Sequence, residues 1–429
     1  MRELQDSGIE WIGIAPSSWK VAYLSSVLSE RKHKNVGMQE DNLLSLSYGN
    51  VKQKDINTND GLLPESFEGY NIIEDGDIVL RLTDLQNDHR SLRTGLCRQR
   101  GIITSAYCTL KRNNDEDDPR FLRYYLHCFD LCKGFYGMGA GVRQGLNFDG
   151  IRKIEMLLPT PVEQTAISDY LDAQMERVDA LIANQQAQIE KLKQYKQSLI
   201  TEVVTKGLDP NAPMKDSGVE WIGKIANGHQ IYRLKFLLTA PMMYGANESG
   251  SKETENSVRY IRITDITTDS KLKDDENNLY LSLDVAKDYL LVDGDVLFAR
   301  SGGTVGKSFI YRSEYGESAF AGYLIKAECN TEKLLPEYLF YYTLSSLYEQ
   351  WKNMIFIQAT IQNIGANKYS NMEIVVPSIQ EQKHIVEFLA RKCRKIDRLI
   401  DIKNRKIEKL NDYKKSLIYE YVTGKKEVV

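Results

Sequence analysis

The sequence predicts an α/β chain, more strictly α+β. Two similar globular units alternate with two long helices, which pair as an antiparallel coiled coil in a pseudo-two-fold arrangement. Three observations predict this. A stretch of about 45 residues occurs twice, at 162–206 and 380–424, offset by 218 positions. The opening DSGIEWIG at 6–13 returns as DSGVEWIG at 216–223. An Asp-Gly turn feeding an apolar run also occurs twice, as EDGDIVL at 74–80 and VDGDVLF at 292–298.

The long repeat reads as helix. Glu163-Gln164 matches Glu381-Gln382, and IEKL at 189–192 matches IEKL at 407–410. Neither copy holds Gly or Pro before its last residues, and each follows a proline, Pro159 or Pro377. Apolar residues keep a heptad rhythm. Leu171, Val178, Leu192 and Leu199 form one row of the first copy, and Met175, Ile182, Ile189 and Val203 the other. Such a seam wants a partner helix, and the nearest candidate is the other copy. Roughly 40 residues at 1.5 Å each make a rod of about 60 Å. Gln185 and Lys403 break the seam at equivalent positions near the helix midpoints. Two readings stand: a polar pair that sets the register of the helices, or two side chains that turn out of the seam toward water.

The remaining landmarks also come in pairs. Short helices are expected near 121–126 and 338–343, and closing strands at 154–158 and 372–376. Arg81 and Arg300 stand where each chain leaves its sheet. This places a first domain at 1–161, its helix at 162–206, a second domain at 207–379 and a second helix with its tail at 380–429. The two chain ends should lie close together. Between the landmarks the halves diverge: 42–69 finds no close match in 244–279, and the loops 82–100 and 301–314 share little. A common skeleton with different loops is expected of two similar scaffolds that read different things.

Composition narrows the class. With 42% hydrophobic and 27% charged residues, the 429-residue chain has apolar content for real cores. It has no apolar run near 18 residues, so no transmembrane helix is expected, and its first residues lack a signal-peptide core. Six cysteines in this length fit a reducing cytoplasm. A net charge of −3 neither advertises nor excludes a polyanion, since a local basic surface is what matters.

Catalytic motifs are absent or incomplete. SGGTVGKS at 301–308 resembles a phosphate loop but has Ser301 where the spacing needs Gly, and a strand rather than a helix should follow. GMGAG at 137–141 reads as a flexible loop. His127, Cys128 and Cys132 lack a second ligand pair, so core packing is the better reading. Five histidines support no nucleophile–base set, and no N-P-P-Y type tetrapeptide occurs.

Arginines and amides in the divergent loops are the stronger signal. The first domain offers Arg81, Thr83, Gln86, Arg90, Arg93, Arg143, Gln144 and Asn147. The second offers Arg262, Arg300, Ser301, Thr304, Lys307, Gln358, Thr360, Gln362 and Asn363. Arg, Lys, Asn and Gln pair with base edges and hold phosphates. The plain alternative is a solvated loop surface.

Two divergent domains, two near-identical helices and the D-S-G-x-E-W-I-G openings resemble the DNA specificity subunit of type I restriction–modification systems. DGDVLFARSGGTVGK at 293–307 and the twin P-x-x-x-E-Q runs at 159–164 and 377–382 carry the likeness. The resemblance implies a non-catalytic subunit. Each globular unit would be a target recognition domain for one half of a bipartite, asymmetric site in double-stranded DNA. The helices would set the gap and dock two methyltransferase (modification) subunits. It implies no cofactor on this chain: S-adenosylmethionine, ATP and Mg belong to the methyltransferase and to the restriction/translocase subunits. No membrane partner is implied. A coiled-coil scaffold assembling protein partners is the alternative, and salt dependence of DNA binding separates the two.

Overall fold

The computed structural model describes residues 2–56, 64, 66–85, 92–136, 138, 145–267, 269–273, 276–357 and 362–428. Four helices organise the chain: α1 (Pro119–Leu131), α2 (Pro161–Lys206), α3 (Pro336–Tyr342) and α4 (Ile379–Val422). The chain divides into two compact units, residues 1–185 with 404–429, and residues 186–403. Each long helix is therefore shared between units rather than standing apart from the globular domains. Burial is the reason. Ile167, Leu171 and Met175 of α2 join Leu417, Ile418 and Tyr421 of α4 in the first core. Ile200, Val203 and Val204 of α2 join Ile385, Leu389 and Cys393 of α4 in the second.

Both units are built on the same four-stranded antiparallel sheet. In the first, the order is Leu28–Glu30, Cys108–Arg112, Ile78–Leu80, Thr94–Leu96. In the second it is Met243–Tyr244, Leu324–Ala327, Val296–Ala299, Ser308–Ile310. The repeated Asp-Gly-Asp motif makes the turn into the central strand. Asp77 accepts the backbone N–H of Glu74 at 2.8 Å, and Asp295 that of Val292 at 2.9 Å. Burial raises both carboxyl pKa values, opposed by those hydrogen bonds and by Arg31 and Lys326.

The D-S-G loop staples itself. Asp6 accepts from the Gly8 N–H at 3.0 Å and Asp216 from Gly218 at 2.8 Å. Ser7 and Ser217 accept from Ile9 and Val219 at 3.2 and 3.1 Å. This is local side-chain capping of a hairpin turn, and it buries Ile12 and Ile222. Asp118 caps α1 by accepting from Arg120 N–H at 2.8 Å, with Pro119 at the first helical position. Tyr125 then donates from its hydroxyl to the Glu155 carbonyl at 3.1 Å, and Tyr342 to that of Glu373 at 3.2 Å. Both bonds hold the closing strand that leads into a long helix.

Within each unit the helix segments run antiparallel. In the first, Tyr170 stacks near Tyr421 with centroids 4.5 Å apart, while Asp179 pairs with Lys414 at 2.5 Å. In the second, Gln188 accepts from Lys403, and Lys196 pairs with Asp397 at 2.7 Å. Gln185 is only 6% exposed, which sets aside the reading that it turns out to water. Both long helices end on a left-handed glycine, Gly207 (φ 75°) and Gly424 (φ 70°). A Cβ at Gly207 would strike the Glu381 carboxylate, which meets His229 Nε2 at 3.0 Å, and one at Gly424 would strike Pro16. The first residues and the end of α4 meet inside the first unit, as expected: Lys425 donates to the Ile12 carbonyl at 2.9 Å, and Arg2 pairs with Glu427 at 3.0 Å.

Candidate nucleic-acid interface

Several of the sequence-predicted residues lie where the central strands leave their sheets. In the first unit the strand Ile78–Leu80 runs into a loop wrapped around one buried guanidinium. Arg93 is 2% exposed. Its Nη1 donates to the carbonyls of Arg81 and Thr83 at 3.1 and 2.8 Å. Its Nη2 donates to those of Asp84 and Leu85 at 3.0 and 3.2 Å. Its Nε lies 4.0 Å from the buried Asp130 carboxylate. Arg93 is thus a correction to the sequence reading: it holds the loop from within and is not placed to touch a ligand. The fan of carbonyls explains it, because a planar fork with five donors can satisfy several inward-facing oxygens at once. Arg81 and Thr83 are the exposed side chains of that loop.

Leu146 N–H closes the loop by donating to the Leu82 carbonyl at 2.8 Å. Asn147 follows, and its Oδ1 accepts from Gly150 N–H at 3.0 Å as the cap of Phe148–Ile151. Among the described residues its amide nitrogen has no hydrogen bond. Sequence reasoning passed over the hairpin Leu44–Ser47 and Asn50–Gln53, which packs on the strand Thr94–Leu96 through Leu46 and Val51. Its turn carries Tyr48, 70% exposed, and its second strand the exposed Lys52. The Tyr48-Gly49 pair between two short alternating runs was the available signal.

In the second unit the strand Val296–Ala299 enters Arg300 and Ser301. Arg300 N–H donates to the Tyr323 carbonyl at 3.0 Å, and its own carbonyl accepts from Ile364 N–H at 2.8 Å. Ser301 pairs with Asn363 in an isolated antiparallel bridge. The Arg300 guanidinium lies over the Tyr244 ring, 4.9 Å from its centroid. Arg300, Ser301 and Asn363 are thus brought together, with exposed Gln362 next in sequence. Arg262 is committed to Asp265, with Nε and Nη2 donating at 3.1 and 2.8 Å, and to the Asn277 carbonyl at 3.1 Å. It lines a cavity of 490 Å³ with Asn247, Tyr260 and Tyr323.

Thr304 and Lys307 lie on the neighbouring turn. The short helix Gly302–Thr304 leads to Gly306, whose carbonyl accepts from the Tyr348 hydroxyl at 2.7 Å, and the Tyr369 hydroxyl donates to Ala299 at 2.9 Å. Thr304 and Lys307 line a 310 Å³ hollow with Lys352, which is paired to Glu349 at 2.8 Å. The strand Ser308–Ile310 follows, so this glycine-rich run makes no helix-borne phosphate loop. Gln86, Arg90, Arg143, Gln144, Gln358 and Thr360 lie outside the described residues.

No group of three metal-ligating side chains occurs among the described residues. Cys128 is buried and Cys132 exposed. The hydrogen bond between the two thiols pulls Cys132 down to about 7. Among the described residues, no helix is long and apolar enough to cross a membrane.

The comparisons with known proteins agree with this frame. Residues 244–412 match the Methylase_S family, the type I restriction modification DNA specificity domain. The chain is 24% identical to the type I restriction enzyme MjaVIII specificity subunit of Methanocaldococcus jannaschii, over 96% of this chain and 94% of that protein. It is 20% identical to the StySPI specificity subunit of Salmonella potsdam, over 87% and 82%. A chain solved in work on complex assembly and conformational transition of the type I R-M system superposes with a TM-score of 0.69. That match has 15% identity and covers 95% of this chain and 98% of the other. The chain therefore carries a type I restriction modification DNA specificity domain, in a frame that resembles specificity subunits along almost its whole length.

Proposed function

We propose that this chain is the DNA-reading specificity subunit of a type I restriction–modification complex in the cytoplasm. Each unit reads one half of a bipartite, asymmetric site in double-stranded DNA. The single observation that carries the reading is the same backbone frame holding different side chains. Leu146 N–H donates to the Leu82 carbonyl at 2.8 Å in one unit, and Ile364 N–H to the Arg300 carbonyl at 2.8 Å in the other. Equivalent positions in equivalent loops carry unlike groups, as two different half-sites require. Arg81, Thr83 and Asn147 are the proposed contacts of the first unit; Arg300, Ser301, Thr304, Lys307, Gln362 and Asn363 those of the second.

The chain itself does no chemistry in this proposal. Adenine-N6 methylation belongs to two docked modification subunits using S-adenosylmethionine, and ATP-driven translocation with Mg to a restriction subunit. Repeated apolar residues on the helices support docking: Leu181 and Leu399 are 45% and 47% exposed, and Tyr195 and Tyr413 56% and 49%. Gln185 and Lys403 are retained as the proposed register residues of the coiled coil.

Adenine methylation mapped in cells carrying the chain with its modification subunit tests the reading. One bipartite motif, lost when this chain is deleted, is the expected result. Replacing residues 1–161 should then change one half of the motif only. Absence of any chain-dependent motif overturns the proposal.

A further inference from the structure

The repeated frame exposes a contrast that the loops alone do not. At the position where the first unit closes its core with Leu82, which is 1% exposed, the second unit carries Arg300. A guanidinium at a position suited to leucine is costly unless something compensates it. Arg300 Nε is buried and has no hydrogen-bond partner among the described residues. What the guanidinium has is the face of Tyr244, 4.9 Å from the ring centroid. That ring is itself held, because its hydroxyl accepts from Ala366 N–H at 2.9 Å. The Arg300 backbone is held on both sides, through Tyr323 and Ile364.

Such a side chain is oriented before any ligand arrives. A phosphate contact gains little from this, since a long exposed cation can find a phosphate by its own flexibility. A base edge demands it, because a reader must sit within about 0.5 Å of its productive geometry. The planar fork of arginine matches the two adjacent major-groove acceptors of guanine, O6 and N7. Ser301 and Asn363, bridged beside it, add polar groups at the same strand end.

Resting on the DNA-reading function above, we infer that Arg300 reads a guanine in the half-site of the second unit, and that Tyr244 is the positioning residue that aims it. The Arg300–Tyr244 pair is then the specificity determinant of one G·C pair, while Thr304 and Lys307 on the next turn contribute sequence-independent affinity.

The test uses the chain assembled with its modification subunits and duplexes in which each base pair of the site is varied in turn, in competition at fixed salt. The wild-type complex should discriminate at a G·C pair in one half-site. Arg300→Ala and Arg300→Lys should each lose that discrimination by roughly tenfold or more, at that pair alone, with the other half-site read as before. Tyr244→Ala should lose part of the same discrimination at the same pair, and Tyr244→Phe, which keeps the ring but not the hydroxyl that holds it, should retain more of it than Tyr244→Ala. Intact reading of the other half-site certifies that each variant is folded. Uniform weakening of all duplexes by Arg300→Ala overturns the inference and makes Arg300 a phosphate contact; an unchanged profile overturns it as well. A wild-type complex that discriminates no sequence at all would instead bring down the DNA-reading function on which the inference rests.

Discussion

Gln164 and Asp118 lock the start of a long helix to the start of a short one. The buried Gln164 carboxamide accepts the Asp118 backbone N–H at 2.9 Å and donates to Asp117 at 2.9 Å and to the Pro159 carbonyl at 3.2 Å. Gln382 repeats the arrangement with Leu335 N–H at 2.9 Å, the Lys333 carbonyl at 2.9 Å and the Pro377 carbonyl at 3.0 Å. This explains the twin P-x-x-x-E-Q runs. The glutamine reaches back over the first turn to its proline and sideways to the segment before the α1 or α3 helix.

Removing that carboxamide leaves buried backbone groups without partners. Gln164→Ala and Gln382→Ala should each cost about 1–3 kcal/mol, measured by urea unfolding. Glutamate at either site should cost more, because it keeps the acceptor but replaces two donated bonds with a buried charge. A change below a few tenths of a kcal/mol would show that water fills the gap.

Arg93 should matter to the first half-site without touching it. Arg93→Lys keeps the charge and loses the planar fan, so the loop holding Arg81 and Thr83 loosens. The expected outcome is weakened discrimination in one half-site with the other unchanged. A loss of about 2–4 kcal/mol in stability should accompany Arg93→Ala, which leaves the buried carbonyls of the loop without their donor. Duplex competition and denaturant unfolding on the same variants check both parts.

His127 should make the first unit acid-sensitive. Burial, helped by Arg123 and Lys414, lowers its pKa to about 3. The unfolded imidazole titrates near 6.5, so the folded state binds fewer protons below that value. The contribution is whole above pH 6.5 and is lost as pH falls through 6.5 toward 3. By pH 5 the wild type should have lost on the order of 1–2 kcal/mol relative to His127→Leu. Unfolding curves taken at pH 7, 6 and 5 measure it, and parallel pH dependences in the two proteins would remove His127 as the cause.

Cys132 should be the thiol that alkylates first. Its pKa is pulled down to about 7 by the hydrogen bond from Cys128, while burial pushes Cys97 and Cys393 up to about 11. Iodoacetamide with peptide mapping should find Cys132 modified fastest, with a rate that rises through pH 7. In Cys128→Ala the midpoint should move up toward an ordinary thiol. An unchanged midpoint would mean the neighbour is not responsible.

The sequence alone determined what depends on short-range pattern. The long helices run Pro161–Lys206 and Ile379–Val422, where the heptads and the flanking prolines placed them. The D-S-G loops, the Asp-Gly-Asp turns and the strand after 301–308 were equally legible, because their hydrogen bonds join residues only a few positions apart. Only the tertiary structure decided which of the loop cations could meet a ligand. Arg81, Arg93 and Arg262 look alike in a sequence, yet one is exposed, one is buried in a fan of carbonyls and one is clamped to Asp265. The offset of 218 residues, by contrast, already sets Leu82 against Arg300 and Arg81 against Ala299. The closing hydrogen bonds from Leu146 and Ile364 agree with that register. Burial and pairing were not legible, because the groups that settle them, such as Asp130 near Arg93 and Tyr244 under Arg300, lie tens of residues away in the chain.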